Sequence, residues 1–288
     1  MRNWKLQSAM EYLMTYGWAI LIIAVVMGGL YTLGVFNPFF FVGKAPPGAC
    51  TIFRPSGPNS TQLMQPEGEC NGALPQFVTT LNGKYGYVFT GDTVYQAGAS
   101  AITVSAWVYL SSVQTNGWFA SLESSSGIQT ISSSDIRMVA QNGCYADTSG
   151  YNLATGIWYH VVGTFNSGTY NIYVDGVRQT TIPAGSCTTL ANNGNTLLGA
   201  GTESGSAIYG YTNGFLANVQ IYNSSLSSND VSALYTEGIG GVPINLQHLV
   251  AWWPLNGNTN DYSGDNLNGV ANSISYTSSW WTSGYSVP

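Results

Sequence analysis

Tyr170-Asn171-Ile172-Tyr173-Val174-Asp175-Gly176, running on into Val177-Arg178-Gln179-Thr180, is the stretch on which the reading of this chain turns. Ile172 and Val174 fall on one face of an extended strand, because successive side chains point to opposite sides. Asp175-Gly176 is the signal for a two-residue type I′ turn, whose central residues both need positive φ. Two extended segments joined so tightly pair as an antiparallel hairpin. Outward from this hairpin the same pattern repeats from Val78 onward, as short alternating runs separated by turn residues every ~8–12 positions. The predicted strands are 85–90, 102–110, 118–122, 136–141, 159–165, 170–174, 196–199 and 216–222. One helix interrupts them. Ser227 with Asp230 forms a capping box, Val231, Leu234 and Tyr235 supply the apolar spacing, and Gly238 closes it.

The series Val104-Ser105-Ala106-Trp107-Val108, Trp158-Tyr159-His160-Val161-Val162, the hairpin, and 214–223 with Leu226-Ser227 and the helix is similar to the laminin-G, concanavalin-A-like jelly roll. The fold class this implies is mainly β, a laminin-G-like sandwich over most of residues 78–238, preceded by a long N-terminal hydrophobic α-helix. The residues agree with it. Trp107, Trp158, Phe165, Ile172, Val174 and Ile221 sit at alternating strand positions and are expected in the core, each contributing on the order of 2 kcal/mol by burial. His160 reads as a strand histidine satisfied by its neighbours rather than as a ligand or base.

The segment His248-Leu249-Val250-Ala251-Trp252-Trp253-Pro254-Leu255-Asn256-Gly257, with Asp261 to Gly269 after it, resembles the strand and loop that normally open such a domain, yet here it closes the chain. Residues 249–288 are therefore expected to complete the sandwich of 78–288 as a circular permutation, because the ends of a jelly roll lie close together. A strand donated between subunits is the alternative, and the short connection 238–243 favours closure within one chain.

The other end of the chain differs in character. No Asp, Glu, Lys or Arg occurs from Tyr12 to Gly43, and Ala19-Ile20-Leu21-Ile22-Ile23-Ala24-Val25-Val26-Met27 lies in the middle of that run, which as a helix has the length to cross a bilayer. Arg2 and Lys5 precede it, which predicts a cytoplasmic start with the bulk of the chain outside. Lys5-Leu6-Gln7-Ser8-Ala9-Met10-Glu11-Tyr12 resembles the class III signal sequence of archaeal type IV pilins. The resemblance implies a leader at 1–6, cleavage between Leu6 and Gln7, and Glu11 as the fifth mature residue of an apolar helix over 7–43. Leu6 stands where that family has Gly or Ala. It also implies partners: the membrane first, then identical or related pilin subunits, in whose filament core Glu11 neutralises a neighbour's amino terminus. A plain transmembrane anchor is the other reading. Between helix and sandwich, residues 44–77 carry Pro46, Pro47, Pro55, Pro58, Pro66 and Pro75 and read as an irregular neck.

Charged residues make up 7% of the 288, far below the usual ~25%, which suits a β-rich extracellular protein with a polar uncharged surface. Beyond Gly43 stand Lys44, Arg54, Lys84, Arg137 and Arg178 without a basic cluster, so nucleic acid is excluded as a partner. Cys50, Cys70, Cys144 and Cys187 allow three connectivities. Cys50–Cys70, closing the neck, and Cys144–Cys187, tying two segments of the sandwich, is the favoured one. Asn59 and Asn223 head glycosylation sequons, suited to an exported domain at the cell surface or on an extracellular filament.

No catalytic constellation is legible: the thirteen acids lack the paired spacing a sandwich-fold glycoside hydrolase needs. Asp92, Asp261 and Asp265 fall where domains of the resembled type hold a structural calcium, although Asp is also an ordinary turn residue and Asn218 replaces the acid common in that family. For glycans, the candidate contacts are Trp118, Tyr145, Tyr209 and Tyr211, aromatics beside Gly-rich turns on which sugar rings stack; a packing role is the alternative. The sequence therefore points to a non-enzymatic adhesive surface protein, as a pilin-like filament subunit or as a monomeric membrane-anchored lectin.

Overall fold

A computed structural model describes residues 4–32, 50–53, 64–68, 75–91, 94–95, 98–122, 126–131, 135–190, 194–203, 207–280, 285 and 288. The chain divides into two compact units, Met1–Phe53 with Met64–Cys70, and Arg54–Leu63 with Asn71–Pro288.

The first unit contains helix α1 (Trp4–Thr32) and two strands, β1 (Cys50–Phe53) and β2 (Met64–Gly68). Side chains of α1 are described for Met14 and for 16–29, and the large apolar ones among them, such as Trp18, Ile20, Ile23 and Val25, are all exposed. Among the described residues no helix is long and apolar enough to cross a membrane. Residues 33–43 of the predicted helix lie outside the described residues. The neck departs from its irregular reading, since β1 and β2 pair antiparallel. Pro66 falls at the register shift between the Thr51 and Phe53 pairs. A residue without an N–H is tolerated there, because a bulge leaves its backbone outside the ladder.

The second unit is a mainly β jelly-roll sandwich. Its strands are β3 (Val78–Asn82), β4 (Tyr87–Phe89), β5 (Ala101–Ser112), β6 (Trp118–Leu122), β7 (Ser126–Thr130), β8 (Ile136–Gln141), β9 (Cys144–Thr148), β10 (Trp158–Asn166) and β11 (Thr169–Val174). They continue with β12 (Val177–Arg178), β13 (Thr181–Ala184), β14 (Thr196–Leu198), β15 (Gly201–Glu203), β16 (Ala207–Tyr209), β17 (Asn213–Tyr222), β18 (Leu249–Trp253), β19 (Val270–Asn272) and β20 (Ser275–Thr277), with helix α2 (Ser228–Thr236) after β17. The first sheet runs β12-β11-β10-β5-β17-β3-β20, and β18 also pairs with β17. The second runs β13-β9-β8-β7-β6-β14-β4-β19, and β15 and β16 form a separate hairpin. Asp175 and Gly176 both have positive φ, 50° and 75°, and Val174 faces Val177 across the turn that the sequence specifies.

Strict alternation fails in the first sheet for a physical reason. Phe165, Ile172, Val174 and Ile221 point into the core between the sheets, but Trp107 and Trp158 point the other way. There they are covered too, by Ile239 and Trp280, with Tyr235 of α2 and Tyr285 packed alongside. A sheet buried on both faces needs apolar residues at nearly every position. His160 sits on this outer face, 2% exposed, its ring 5.2 Å from Trp107 and its Nε2 2.9 Å from Ser105 Oγ. Its Nδ1 has no partner among the described residues, so the ring is only half satisfied. Burial lowers its pKa to about 3, and it stays neutral. The capping box of α2 forms between Ser227 and Asp230.

One edge of β17 is divided between two partners from opposite ends of the unit. Asn213–Leu216 pair with β3, and Val219–Tyr222 pair with β18. At the junction Asn218 takes a positive φ of 48°. Its amide donates to Gly241 O and accepts from Gln220 Nε2 and Trp252 Nε1, a use of both halves of the amide that a carboxylate could not match.

Candidate functional site

The outer face of the second sheet carries a row of side chains set by strand register. Trp118 of β6 faces Gln129 of β7, Gln129 faces Arg137 of β8, and Arg137 faces Asp147 of β9. Two residues along, Val139 of β8 faces Tyr145 of β9 on the same side. The alternate positions Ile128, Met138 and Ala146 point into the core, which fixes the row outward. Trp118, Gln129, Arg137, Val139 and Tyr145, with Asn116, the Asn142–Gly143 turn and Tyr209 of β16, line a cavity of about 180 Å³.

Two glycines permit this arrangement. A Cβ at Gly201 would overlap the indole of Trp118, and one at Gly210 would meet Asn116 O and the indole edge. Without those atoms the β15–β16 hairpin lies directly over Trp118, which is only 1% exposed. Trp118 N donates to Gly210 O at 2.9 Å, and Thr212 Oγ1 donates to Trp118 O at 2.6 Å, so the backbone around the ring is fixed.

The polar groups are unevenly matched. Arg137 donates twice to Asp147, Nε to Oδ1 at 2.6 Å and Nη2 to Oδ2 at 2.7 Å, and its guanidinium lies 3.7 Å from the centre of the Tyr145 ring. This bidentate pair balances the charge of the arginine at the cavity. Trp118 Nε1 and Gln129 Oε1, by contrast, are buried and have no hydrogen-bond partner among the described residues. Both residues line the cavity, but these two atoms are closed off from solvent, and Gly201 packs against the indole N–H.

Of the residues expected to contact glycans, Trp118, Tyr145 and Tyr209 come together here. Trp118 is too deeply buried to offer an open stacking face, and Gly201 covers its N–H. Tyr211 lies elsewhere, with its ring 6.5 Å from Tyr85 and 6.3 Å from Tyr87. Gln129, Arg137, Val139 and Asn116 escaped the sequence reading. The signal for Arg137 was available, as a lone cation at an outward position of a predicted strand; Gln129 lies in a strand that was not predicted. Cys144–Cys187 is a disulfide, joining the strand that begins beside Gly143 to the loop after β13. Cys70, Asn59 and Asp92 lie outside the described residues, as do the side chains of Cys50, Leu6, Gln7 and Glu11. Asn223 is exposed at the end of β17, its Oδ1 3.1 Å from His248 Nδ1. Asp261 accepts four hydrogen bonds, from Trp252 N and Ser263 N on Oδ1 and from Ser263 Oγ and Leu267 N on Oδ2. It staples its loop, with Asp265 exposed nearby, and among the described residues no group of three or more His, Cys, Asp or Glu comes together.

A model of the concanavalin A-like lectin/glucanases superfamily, of laminin-G type, matches residues 82–232. The chain belongs to this superfamily. Among solved structures, this superfamily member is similar to a candidate carbohydrate-binding protein from Bacteroides ovatus, with 16% identity and a TM-score of 0.56 over 70% of this chain and 59% of that one. It is also similar to the native heptameric SAP-like pentraxin from Limulus polyphemus, with 14% identity and a TM-score of 0.51 over 70% of this chain and 94% of the pentraxin. At these identities the likeness speaks for the fold. The chain spans 59% of the Bacteroides protein's length. No curated protein matches it.

Proposed function

We propose that this chain is a carbohydrate-binding surface protein whose sandwich is displayed outward from an N-terminal apolar helix, as an adhesive subunit of a pilin-like filament. The observation that carries the binding reading is the cavity of the second sheet, which gathers Trp118, Tyr145 and Tyr209 with the polar side chains of Asn116, Gln129 and Asn142. Concave sites with aromatic walls and a few fixed polar groups are the usual form of small-ligand sites. At about 180 Å³ the cavity suits a single ring or a chain end rather than an extended polymer. The described residues lining it include no carboxylate, which favours binding over the acid–base chemistry of glycoside hydrolysis.

Support for display comes from α1, whose described apolar side chains are exposed and unburied by their own unit. A helix apolar all round belongs in lipid or among other helices. The uncharged run from Tyr12 to Gly43, with Glu11 at its edge, fits insertion first and bundling with identical or related subunits later. The return of β18 to β17 within one chain supports a circularly permuted sandwich.

A glycan array probed with the full-length protein in detergent micelles, with and without chelator, tests the binding reading. Recognition of defined glycans is expected, and silence across the array refutes it; loss in chelator would assign calcium a part at Asp92, Asp261 and Asp265. For display, the N-terminus of protein recovered from cells should begin at Gln7. A chain that starts at Met1 rules out processing by the pilin route.

A further inference from the structure

An asparagine followed by glycine carries a slow reaction within its own backbone. Glycine has no side chain to shield its N–H, so that nitrogen can attack the Cγ of the preceding asparagine. The N–Cγ bond forms as the Cγ–Nδ2 bond breaks, and ammonia leaves with the proton of the N–H. Water then opens the resulting succinimide at either carbonyl, giving aspartate or isoaspartate. The step needs a free side chain, a free glycine N–H, room for the ring to close, and access for water. The sequence holds eight Asn-Gly pairs. Six of them, at Asn82, Asn116, Asn142, Asn213, Asn256 and Asn268, lie among the described residues.

Five of the six are held against it. Asn82 Oδ1 accepts from Lys84 N, Tyr85 N and Gly86 N, and Gly83 N donates to Thr212 O. Gly117 N, after Asn116, donates to Gln114 O and Thr130 Oγ1. Asn213 Nδ2 donates to Ser112 Oγ, and Asn256 Oδ1 accepts from Phe77 N. Asn268 Oδ1 accepts from Asp261 N while Gly269 N donates to Thr259 O. Space agrees with the bonding, since a Cβ on any of these five glycines would come within 3.2 Å of another atom. Asn142–Gly143 differs on every count. It is the turn between β8 and β9, and both residues are exposed. Neither the Asn142 side chain nor the Gly143 N–H has a hydrogen-bond partner among the described residues. A Cβ at Gly143 would meet nothing within 4 Å.

We propose that Asn142 is a deamidation site in the wall of the candidate cavity, converting to aspartate and isoaspartate ahead of the other described Asn-Gly pairs. The product gives the cavity a carboxylate, which its described lining otherwise lacks. Asp147 already balances Arg137, so the new charge is uncompensated there. Isoaspartate also routes the backbone through an extra methylene, two residues before Cys144 and its bond to Cys187.

The test is ageing of the full-length protein in micelles at mildly alkaline pH. Peptide mapping by mass spectrometry follows the mass gained when –NH2 becomes –OH, and chromatography separates isoaspartate from aspartate. Asn142 is expected to convert first, with an advantage of roughly 3- to 10-fold for each hydrogen bond that holds a rival pair. Asn142→Gln, whose longer side chain closes such a ring poorly, should remove that signal at unchanged melting temperature. A parallel sample in urea lacks the folded-state hydrogen bonds, and there the six rates should converge. Folded protein in which Asn142 converts no faster than the other five would overturn the proposal. A ranking that persists in urea would overturn it too, because flanking sequence rather than structure would then set the rates. These readouts do not depend on whether a glycan binds.

Discussion

The Cys144–Cys187 disulfide offers the most direct test of how the site is held. It joins residues 43 apart in sequence, and the chain-entropy relation gives about 13 cal/mol/K for a loop of that size, or about 4 kcal/mol at room temperature. The perturbation is the double variant Cys144→Ala/Cys187→Ala, which leaves Cys50 and Cys70 untouched and so isolates one crosslink. Equilibrium urea unfolding, followed by tryptophan fluorescence, should show a lower midpoint, and the melting temperature should fall on the order of 10 °C for a unit of this size. The cavity should respond as well, because Cys144 follows directly on the Asn142–Gly143 turn of its wall. A destabilisation below about 1 kcal/mol would refute the reasoning. It would mean that Gln141 Nε2 on Thr189 O and Leu190 N on Ala99 O already hold the 185–190 loop without the crosslink.

Gly201→Ala should press a methyl into the Trp118 indole, lift the β15–β16 hairpin and cost roughly 1–3 kcal/mol, read by thermal melting with a parallel drop in sugar binding. His160 is neutral in the folded state, with a pKa lowered by burial to about 3, whereas the unfolded chain takes up a proton near 6.5. Stability is therefore full above pH 6.5 and falls as the pH drops below it, at up to about 1.4 kcal/mol per unit. Asp175, raised by burial and accepting from His160 N, works in the opposite sense at the acid end. His160→Phe should flatten the slope of unfolding free energy between pH 6.5 and about 5, and an unchanged slope would assign it to other groups. Asp261→Ala removes four hydrogen bonds of 2.7 to 3.0 Å and should cost about 1–3 kcal/mol by melting, with Asp261→Asn intermediate. Deleting Leu249 to Pro288 strips away β18, β19 and β20 with the buried Trp253 and Trp280; a stable monomer from that truncation would show that the segment is not needed to complete the sandwich.

The elements legible in the sequence were those where local chemistry and tertiary need agree. Asp175-Gly176 supplies its own turn, Ser227 and Asp230 cap their own helix, and β6 and β8 have the bounds that their apolar runs suggest. Strands such as β7, with Gly127 at its second position, and β13, with Pro183, carry weak local signals and exist because neighbours pair with them. Pro183 is tolerated because β13 forms the edge of its sheet. The site divides in the same way. Its aromatics stand out from their sequence surroundings, so Trp118, Tyr145 and Tyr209 could be named in advance. Gln129 could not, since a glutamine becomes remarkable only when register sets it against a buried indole. Tyr211, only two residues beyond Tyr209, is not among the residues lining the cavity; Gly210 between them has positive φ, and the Tyr211 ring lies beside those of Tyr85 and Tyr87.

The sharing of β17 has a mechanical consequence. A pull applied from the N-terminal side enters the sandwich at Val78 and runs straight into β3, which is laced to β17 on one flank and to β20 on the other. Tension must therefore shear two ladders at once, and the second of these is supplied by the tail of the chain. The candidate cavity lies in the other sheet, clear of that line of force. A subunit built this way would keep its grip on a ligand under drag until β3 tears out. Single-molecule pulling should then record one high-force rupture in the intact unit, and a much lower one when Ser275 to Thr277 can no longer pair.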